Sequence, residues 1–182
     1  MKIGPKFKIA KRLGAPIFAK TQTAKFALSE ARAGKMRFTY GVSEKQLRRY
    51  IAEAVNNKSG QPITSLIVRL ESRLDNVVYR LGLAKTRQFA RQMVAHGHIH
   101  VNGKRIKVPS HKVRVGDVIS VRPESRESGM YTNLVDEHET ASVPAWLTFD
   151  LKNFSGEVKD APTYEPSETM FDPQQVLEYY SR

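Results

Sequence analysis

Apolar residues recur at three- and four-residue spacing from Leu66 to Leu81, which predicts one amphipathic helix, and Gly82 predicts its left-handed end. A second helix is predicted from Thr86, whose hydroxyl can accept a hydrogen bond from the first turn, to a glycine stop at Gly97. The polar side chains of this second helix lie outside its apolar stripe and are available to contact a partner. Together the two patterns predict a helix-turn-helix.

Alternation of apolar residues with basic residues or histidine follows, and it predicts a basic β-hairpin. The pair Asn102-Gly103 is the strongest short signal for a two-residue hairpin turn, and it separates the alternating stretches 98–101 and 104–108. A third strand is predicted from Val113 to Val121, with a turn at Gly116-Asp117. Residues 73–122 therefore have the pattern of an RNA-binding module.

Further elements are predicted on both sides of this module. Residues 43–46, Ser-Glu-Lys-Gln, match a capping box that begins a helix reaching Val55. Residues 143–150 predict a strand in which Trp146 belongs to the core. Asp172-Pro173 predicts the start of a C-terminal helix that ends at Tyr180 and packs against another helix.

Charge indicates the kind of partner. Lys and Arg number 30 against 18 Asp and Glu, a formal net charge of +12, which favours a polyanion. The net charge is +11 over residues 1–60, +8 over residues 61–128 and −7 over residues 129–182. We therefore expect the first two parts to face nucleic acid, and residues 1–40 to form a basic extended arm that orders on binding.

Several functional classes are disfavoured. The chain has no cysteine, so a disulfide framework and a thiolate metal site are excluded. His96, His98 and His100 alternate without carboxylate partners nearby in sequence, so neither a metal nor a cofactor is expected. No catalytic motif is present, which argues against an enzyme. No apolar run approaches a membrane span and the start lacks a signal-peptide core, so a cytoplasmic location is expected.

The residues at 69–82, RLESRLDNVVYRLG, together with the motif from Thr86 to Gly103, closely resemble the S-four family of small-subunit ribosomal proteins of bacterial type. The resemblance extends to Gly4-Pro5-Lys6 near the start and to Glu178-Tyr179-Tyr180-Ser181-Arg182 at the end. Many members carry a zinc-binding cysteine cluster near the N-terminus, and the lack of cysteine here implies a zinc-free form.

The resemblance implies an α+β fold: a helical domain from residues 41–70 closed by residues 171–182, and a second domain from residues 71–170 that holds the module at 73–122. It implies a structural constituent that binds rRNA, nucleates small-subunit assembly at a helical junction of the 16S rRNA 5′ domain, lies near the point where mRNA enters, and supports translational accuracy. Neighbouring small-subunit proteins, especially protein five and also protein three, are the implied protein partners.

Residues expected to bind rRNA fall into three groups. The arm and first helices contribute Lys6, Lys8, Lys11, Arg12, Arg37, Lys45, Arg48 and Arg49. Phosphate contacts in the module are assigned to Arg73, Lys85, Thr86 through its helix N-terminus, Arg87, Arg91, Gly103, Lys104 and Arg105. Contacts to 2′-hydroxyls and base edges are assigned to Gln92, His96, His98 and Asn102.

Two other functional classes use similar modules. A DNA-binding helix-turn-helix would place its second helix in a major groove, but the basic hairpin and arm fit RNA better. A stand-alone RNA-binding or RNA-modifying protein is the main alternative, since Arg73-Leu74-Asp75 resembles the catalytic triplet of pseudouridine synthases. That triplet lies inside the predicted first helix, where Asp75 is expected to form a local ion pair or cap.

Overall fold

The computed structural model describes residues 9, 34–57, 61–126, 143–151, 153–163 and 172–181. The chain forms two compact units, one comprising Met1–Ile67 with Tyr164–Arg182 and the other Val68–Thr163. The described elements of the first are helices, whereas the second adds an antiparallel sheet, so the predicted α+β class is confirmed. Of the helices in these residues, none has the length and apolar character needed to cross a bilayer.

The first unit contains helices α1 (Gly34–Thr39) and α2 (Glu44–Val55), the start of α3 (Pro62–Glu71), and α7 (Pro173–Ser181). The predicted start of α2 is confirmed, because the Ser43 hydroxyl accepts a hydrogen bond from the Gln46 N–H at 3.3 Å. The predicted C-terminal helix is confirmed as well, and the Asp172 carboxylate accepts from the Gln174 N–H at its start (2.8 Å).

The structure differs from the predicted extended arm near the C-terminal end of the arm, where the chain forms helix α1. Residues 34–39 are helical, and Met36, Phe38 and Tyr40 are buried. Ile9, the one earlier residue that the structure describes, is also helical and buried. The physical reason is that these apolar side chains gain more from burial than an extended, solvated arm would allow.

Helix α7 packs against α2 through its apolar edge, as the sequence predicts. Val176 is buried, and the Tyr180 hydroxyl donates a hydrogen bond of 2.8 Å to the Glu44 carboxylate at the start of α2. The guanidinium of Arg48 lies 5.4 Å from the Tyr180 ring centroid. Burial, together with this bond and the charge of Glu44, raises the pKa of Tyr180 to about 12.

Replacing Tyr180 by phenylalanine is expected to destabilise the protein by about 1 kcal/mol near pH 7, because the ring stays and the bond to the carboxylate is lost. Burial alone would raise the pKa of Glu44, but hydrogen bonds from Tyr180 and Arg48 and the charge of Arg37 outweigh it and lower that pKa from 4.5. Because the pKa of Glu44 is lower in the folded state, ionised Glu44 stabilises the fold above pH 4.5. This stabilisation is lost as the pH falls through the lowered pKa.

Urea unfolding of wild type and Tyr180→Phe at pH 7 and pH 3 measures this effect. The stability difference is expected to be smaller at the lower pH, because the protonated fraction of Glu44 rises as the pH falls toward its lowered pKa. Tyr179→Phe is the matched control, since Tyr179 is 63% exposed and its hydroxyl does not contact Glu44. A pH-independent difference, or an equal effect of the control, would refute the assignment.

In the second unit, two helices share one apolar core with a five-stranded antiparallel sheet. Its elements are the end of α3, helices α4 (Leu74–Arg80) and α5 (Arg87–His96), strands β1 (Ile99–Val101), β2 (Lys104–Arg105) and β3 (Val118–Val121), a helical turn α6 (Pro123–Arg126), and strands β4 (Leu147–Asp150) and β5 (Ser155–Val158). The strand order is β2-β1-β3-β5-β4. The apolar faces of α4 and α5 and the inward side chains of β1 and β3 form one core, to which Trp146 belongs as predicted.

The single helix predicted from Leu66 to Leu81 is wrong, because the chain breaks at Ser72-Arg73 into α3 and α4. Arg73 is extended (φ −75°, ψ 137°) and forms an isolated antiparallel bridge with Lys112. The backbone N–H of Leu74 donates to the His111 carbonyl at 2.9 Å, a bond to a segment remote in sequence. Long-range backbone pairing therefore overrides the continuous apolar spacing of this stretch.

The predicted turns are confirmed, whereas three strands are shorter than predicted, and the hairpin stretch 104–108 is a strand only at Lys104–Arg105. Asn102 and Gly103 have φ of 50° and 76°, the positive pair of a two-residue hairpin turn, and Gly116 turns at φ 86°. The predicted strand 113–121 pairs with neighbouring strands only from Val118 onward, and the predicted strand 143–150 only from Leu147 onward. Residues 113–117 and 143–146 form turns or irregular chain instead of continuous pairing.

Candidate nucleic-acid interface

A buried ion cluster lies at the start of α4. Arg73, 1% exposed, donates two hydrogen bonds to the Asp75 carboxylate, at 3.0 and 2.8 Å. Arg91 of α5 donates to the same carboxylate, with Nε at 3.0 Å and Nη2 at 2.9 Å from Oδ2. One carboxylate therefore binds two guanidinium groups and joins the two helices.

A second polar chain runs beside this cluster. Glu71 accepts from Arg80 at 2.9 and 3.2 Å and from the Asn76 amide at 2.6 Å. The Asn76 oxygen accepts from Arg87 Nε at 2.7 Å, and the Arg87 guanidinium lies 4.3 Å from the Tyr79 ring centroid. These contacts hold Arg87 over α4 in a fixed orientation.

The expected phosphate contact at Arg73 does not fit the structure and is corrected. A side chain buried this fully and held in two bonds to Asp75 cannot reach a phosphate without breaking the cluster. The expected local ion pair of Asp75 is confirmed. Arg87 and Arg91 are partly exposed, so each is anchored on one side and faces solvent on the other.

The start of α5 has the predicted cap. The Thr86 hydroxyl accepts from the Phe89 N–H at 3.1 Å, and Gly97 ends the helix at φ 77°. Lys85, just before the cap, and Gln92, on the outer face of α5, are both exposed. The cap, Arg87 and Lys85 therefore lie at the N-terminal end of one helix, where backbone N–H groups also favour an anion, and Arg91 lies one turn further along.

The hairpin contributes exposed cations and a structural arginine. Lys104 and Lys107 are exposed, and Gly103 at the tip has no atom within 4 Å of the position that a Cβ would take. Arg105 donates to the carbonyl oxygens of Gly97 and His96, both at 3.0 Å, and so binds the C-terminal end of α5.

Asn102 has a structural role in the hairpin turn. Its amide donates to Asp117 at 2.8 Å and its oxygen accepts from the Val118 N–H at 2.8 Å. Both ends of this side chain therefore tie the hairpin turn to the following strand. Asn102 is exposed, and its expected contact with RNA stays a prediction.

The histidines differ in environment. His98 Nδ1 lies 2.9 Å from the Ser125 hydroxyl, and burial, followed by the positive charges of His96, Arg105 and Arg122, lowers the pKa of His98. His98 is therefore a neutral hydrogen-bonding group at pH 7, whereas His96 is exposed. In the ranges that the structure describes, no group of three metal-ligating side chains comes together.

The first unit has its own basic face on α2. Lys45, Arg48 and Arg49 are exposed there, with Arg48 paired to Glu44 at 3.3 Å and Arg49 to Glu53 at 3.4 Å. Such exposed pairs exchange readily for a phosphate. Arg37 is partly buried, donates to Glu44 at 3.0 Å and lies over the Phe38 ring.

The remaining cations are either arm residues or exposed residues that the sequence analysis did not select. The arm residues Lys6, Lys8, Lys11 and Arg12 lie outside the described residues. Exposed cations that sequence reasoning did not select are Lys107, Lys112 and Arg114. Alternation with Ile106 and Val108 was the available signal for Lys107, since the outward positions of a hairpin face solvent.

Comparisons with known proteins match this arrangement. Residues 72–119 match the family described as the S4 domain. The chain is 44% identical over 169 residues to the small ribosomal subunit protein uS4 of Roseiflexus sp. (strain RS-1), covering 92% of this chain and 82% of the relative. It is 40% identical to that of Roseiflexus castenholzii over an alignment of 203 positions, which covers 99% of this chain and 98% of the relative. It is 44% identical over 164 residues to that of Corynebacterium glutamicum strain ATCC 13032, covering 90% of this chain and 81% of the relative.

Proposed function

Because the chain belongs to the small ribosomal subunit protein uS4 family, we propose that it is a structural, rRNA-binding constituent of the small ribosomal subunit. The observation that carries this proposal is the charge of the matched domain. Residues 72–119 contain ten Lys and Arg but only two Asp and no Glu, a net charge of +8. One of the two aspartates, Asp75, is buried under arginines and does not offset the outer surface.

The exposed cations of this domain surround a rigid scaffold. Around the hairpin and α5 they are Lys85, Lys104, Arg105 and Lys107, with Arg87 and Arg91 partly exposed beside them. Phosphate contacts by such residues supply affinity through counterion release, while an anchored guanidinium adds fixed geometry. Gln92 and His96, exposed on the outer part of α5, remain the proposed readers of 2′-hydroxyls and base edges.

The finer proposal is that the chain nucleates subunit assembly by organising a helical junction of the 16S rRNA 5′ domain. Its support is that each of the two units, which we propose to be separate domains, carries a basic face of its own. A protein with two such faces can hold two RNA helices at once. We also propose a place near the point where mRNA enters, beside small-subunit proteins five and three, and a contribution to translational accuracy.

No catalytic role is proposed. Asp75, the residue that resembles a pseudouridine synthase aspartate, is bound by both Arg73 and Arg91 and is 4% exposed. A carboxylate in that environment has no access to a nucleobase.

Hydroxyl-radical probing of a 16S 5′-domain fragment, with and without the protein, tests the junction proposal. Protection is expected on at least two helices that meet at one junction. Replacing Lys45, Arg48 and Arg49 together by alanine is expected to remove one set of protections and leave the other. Protection of a single helix in the wild-type complex would contradict the organising role.

A further inference from the structure

The second unit contains an apolar groove that the proposed RNA interface does not use. Its volume is about 230 Å³, and roughly 150 Å³ is enough for a protein cavity to hold a benzene ring. Its lining includes the buried residues Trp146, Val113, Val158 and Pro162, together with Val115, which is 57% exposed. A bulky side chain of a partner fits this space.

Backbone hydrogen bonds hold the walls of the groove in place. The Val113 N–H donates to the Ser72 carbonyl and the Gly116 N–H to the Val158 carbonyl, both at 2.8 Å. The Lys159 N–H donates to the Trp146 carbonyl at 2.9 Å. Because these segments are already tied together, a ligand would bind without ordering the groove first.

Positive charge lines the same groove. Lys112 and Arg114 belong to its lining, and both are exposed. Within residues 61–126 and the other described ranges, neither side chain forms an ion pair. Two available cations beside an apolar pocket complement a ligand that combines carboxylates with an apolar side chain.

We propose that this groove binds a short acidic segment of another protein, with one bulky apolar side chain inserted beside Trp146 and carboxylates paired with Lys112 and Arg114. RNA fits less well, because eight of the eleven lining side chains are apolar and offer few hydrogen bonds to base edges or sugar hydroxyls. The Ser72 hydroxyl in the lining already donates to the Val68 carbonyl at 2.6 Å. A central apolar anchor surrounded by charged contacts is the usual arrangement of a small protein interface.

Trp146 is the only tryptophan of the chain, so its fluorescence reports directly on the groove. The probe is the peptide acetyl-Glu-Asp-Leu-Leu-Asp-Glu-amide, titrated into the full-length protein. We expect a saturable change in tryptophan fluorescence. The double variant Lys112→Glu with Arg114→Glu is expected to weaken binding by about tenfold or more, and Ala161→Phe, which fills the groove from its lining, to remove it.

The matched control is Lys104→Glu with Lys107→Glu, which makes the same change of charge on the hairpin and is expected to leave peptide affinity unchanged. Circular dichroism of each variant checks that it folds. Absence of a saturable signal with wild type, or equal affinity for a peptide with lysine at the acidic positions, would overturn the proposal. Displacement of the peptide by the 16S 5′-domain fragment would also overturn it, because the groove would then belong to the RNA interface.

Discussion

Replacing Asp75 by alanine is expected to lower the free energy of unfolding by about 3–5 kcal/mol, because it leaves a buried arginine without its counter-charge. Arg73 is 1% exposed and donates two hydrogen bonds to this carboxylate, while Arg91 loses its anchor at the same time. Equilibrium urea unfolding, followed by circular dichroism, measures the loss.

Two variants control this prediction. Asp160→Ala removes an exposed carboxylate of the same unit and is expected to change stability by less than about 0.5 kcal/mol. The double variant Arg73→Met with Asp75→Leu replaces the buried pair by apolar side chains and is expected to recover much of the loss. A loss below about 1 kcal/mol for Asp75→Ala would show that the buried cluster does not hold α4 and α5 together.

Replacing Lys85, Lys104 and Lys107 together by alanine is expected to weaken rRNA binding strongly and to reduce its salt dependence. The three side chains are exposed around α5 and the hairpin. Each lysine that contacts a phosphate contributes about one unit to the slope of log affinity against log salt, so the slope should become shallower by roughly two to three. Filter binding to the 16S 5′-domain fragment at several salt concentrations measures both quantities.

The matched control for this triple variant replaces the same lysines by arginine. Arginine retains the charge, so the salt slope is expected to stay close to that of wild type. An unchanged slope in the alanine variant would place the phosphate contacts elsewhere, either on the basic face of α2 or on residues outside the described ranges.

Local signals predicted the ends of helices and the turns. The Thr86 cap, the Gly97 stop and the Asn102-Gly103 turn each depend on the conformational preferences of one or two residues. These preferences act within a few residues of chain, so the sequence contains the needed information.

Long-range contacts explain what the sequence did not predict. The break between α3 and α4 comes from backbone pairing of residues 72–75 with residues 109–113, which apolar spacing cannot indicate. The presence of a basic residue in the sequence does not show whether its side chain is buried. Arg73 lies buried against Asp75, whereas Lys85 is exposed. The hydrogen bond between Asn102 and Asp117 was not predicted for the same reason, since the two residues lie fifteen positions apart in sequence.

The central claim is that this chain recognises folded rRNA and does not simply bind polyanions. The most direct test compares its affinity for the 16S 5′-domain fragment with that for duplex DNA of equal length, at moderate and at high salt. A specific interface is expected to keep a preference for the rRNA fragment at high salt, where counterion release contributes less. Equal affinity for the two nucleic acids at both salt concentrations would contradict the account.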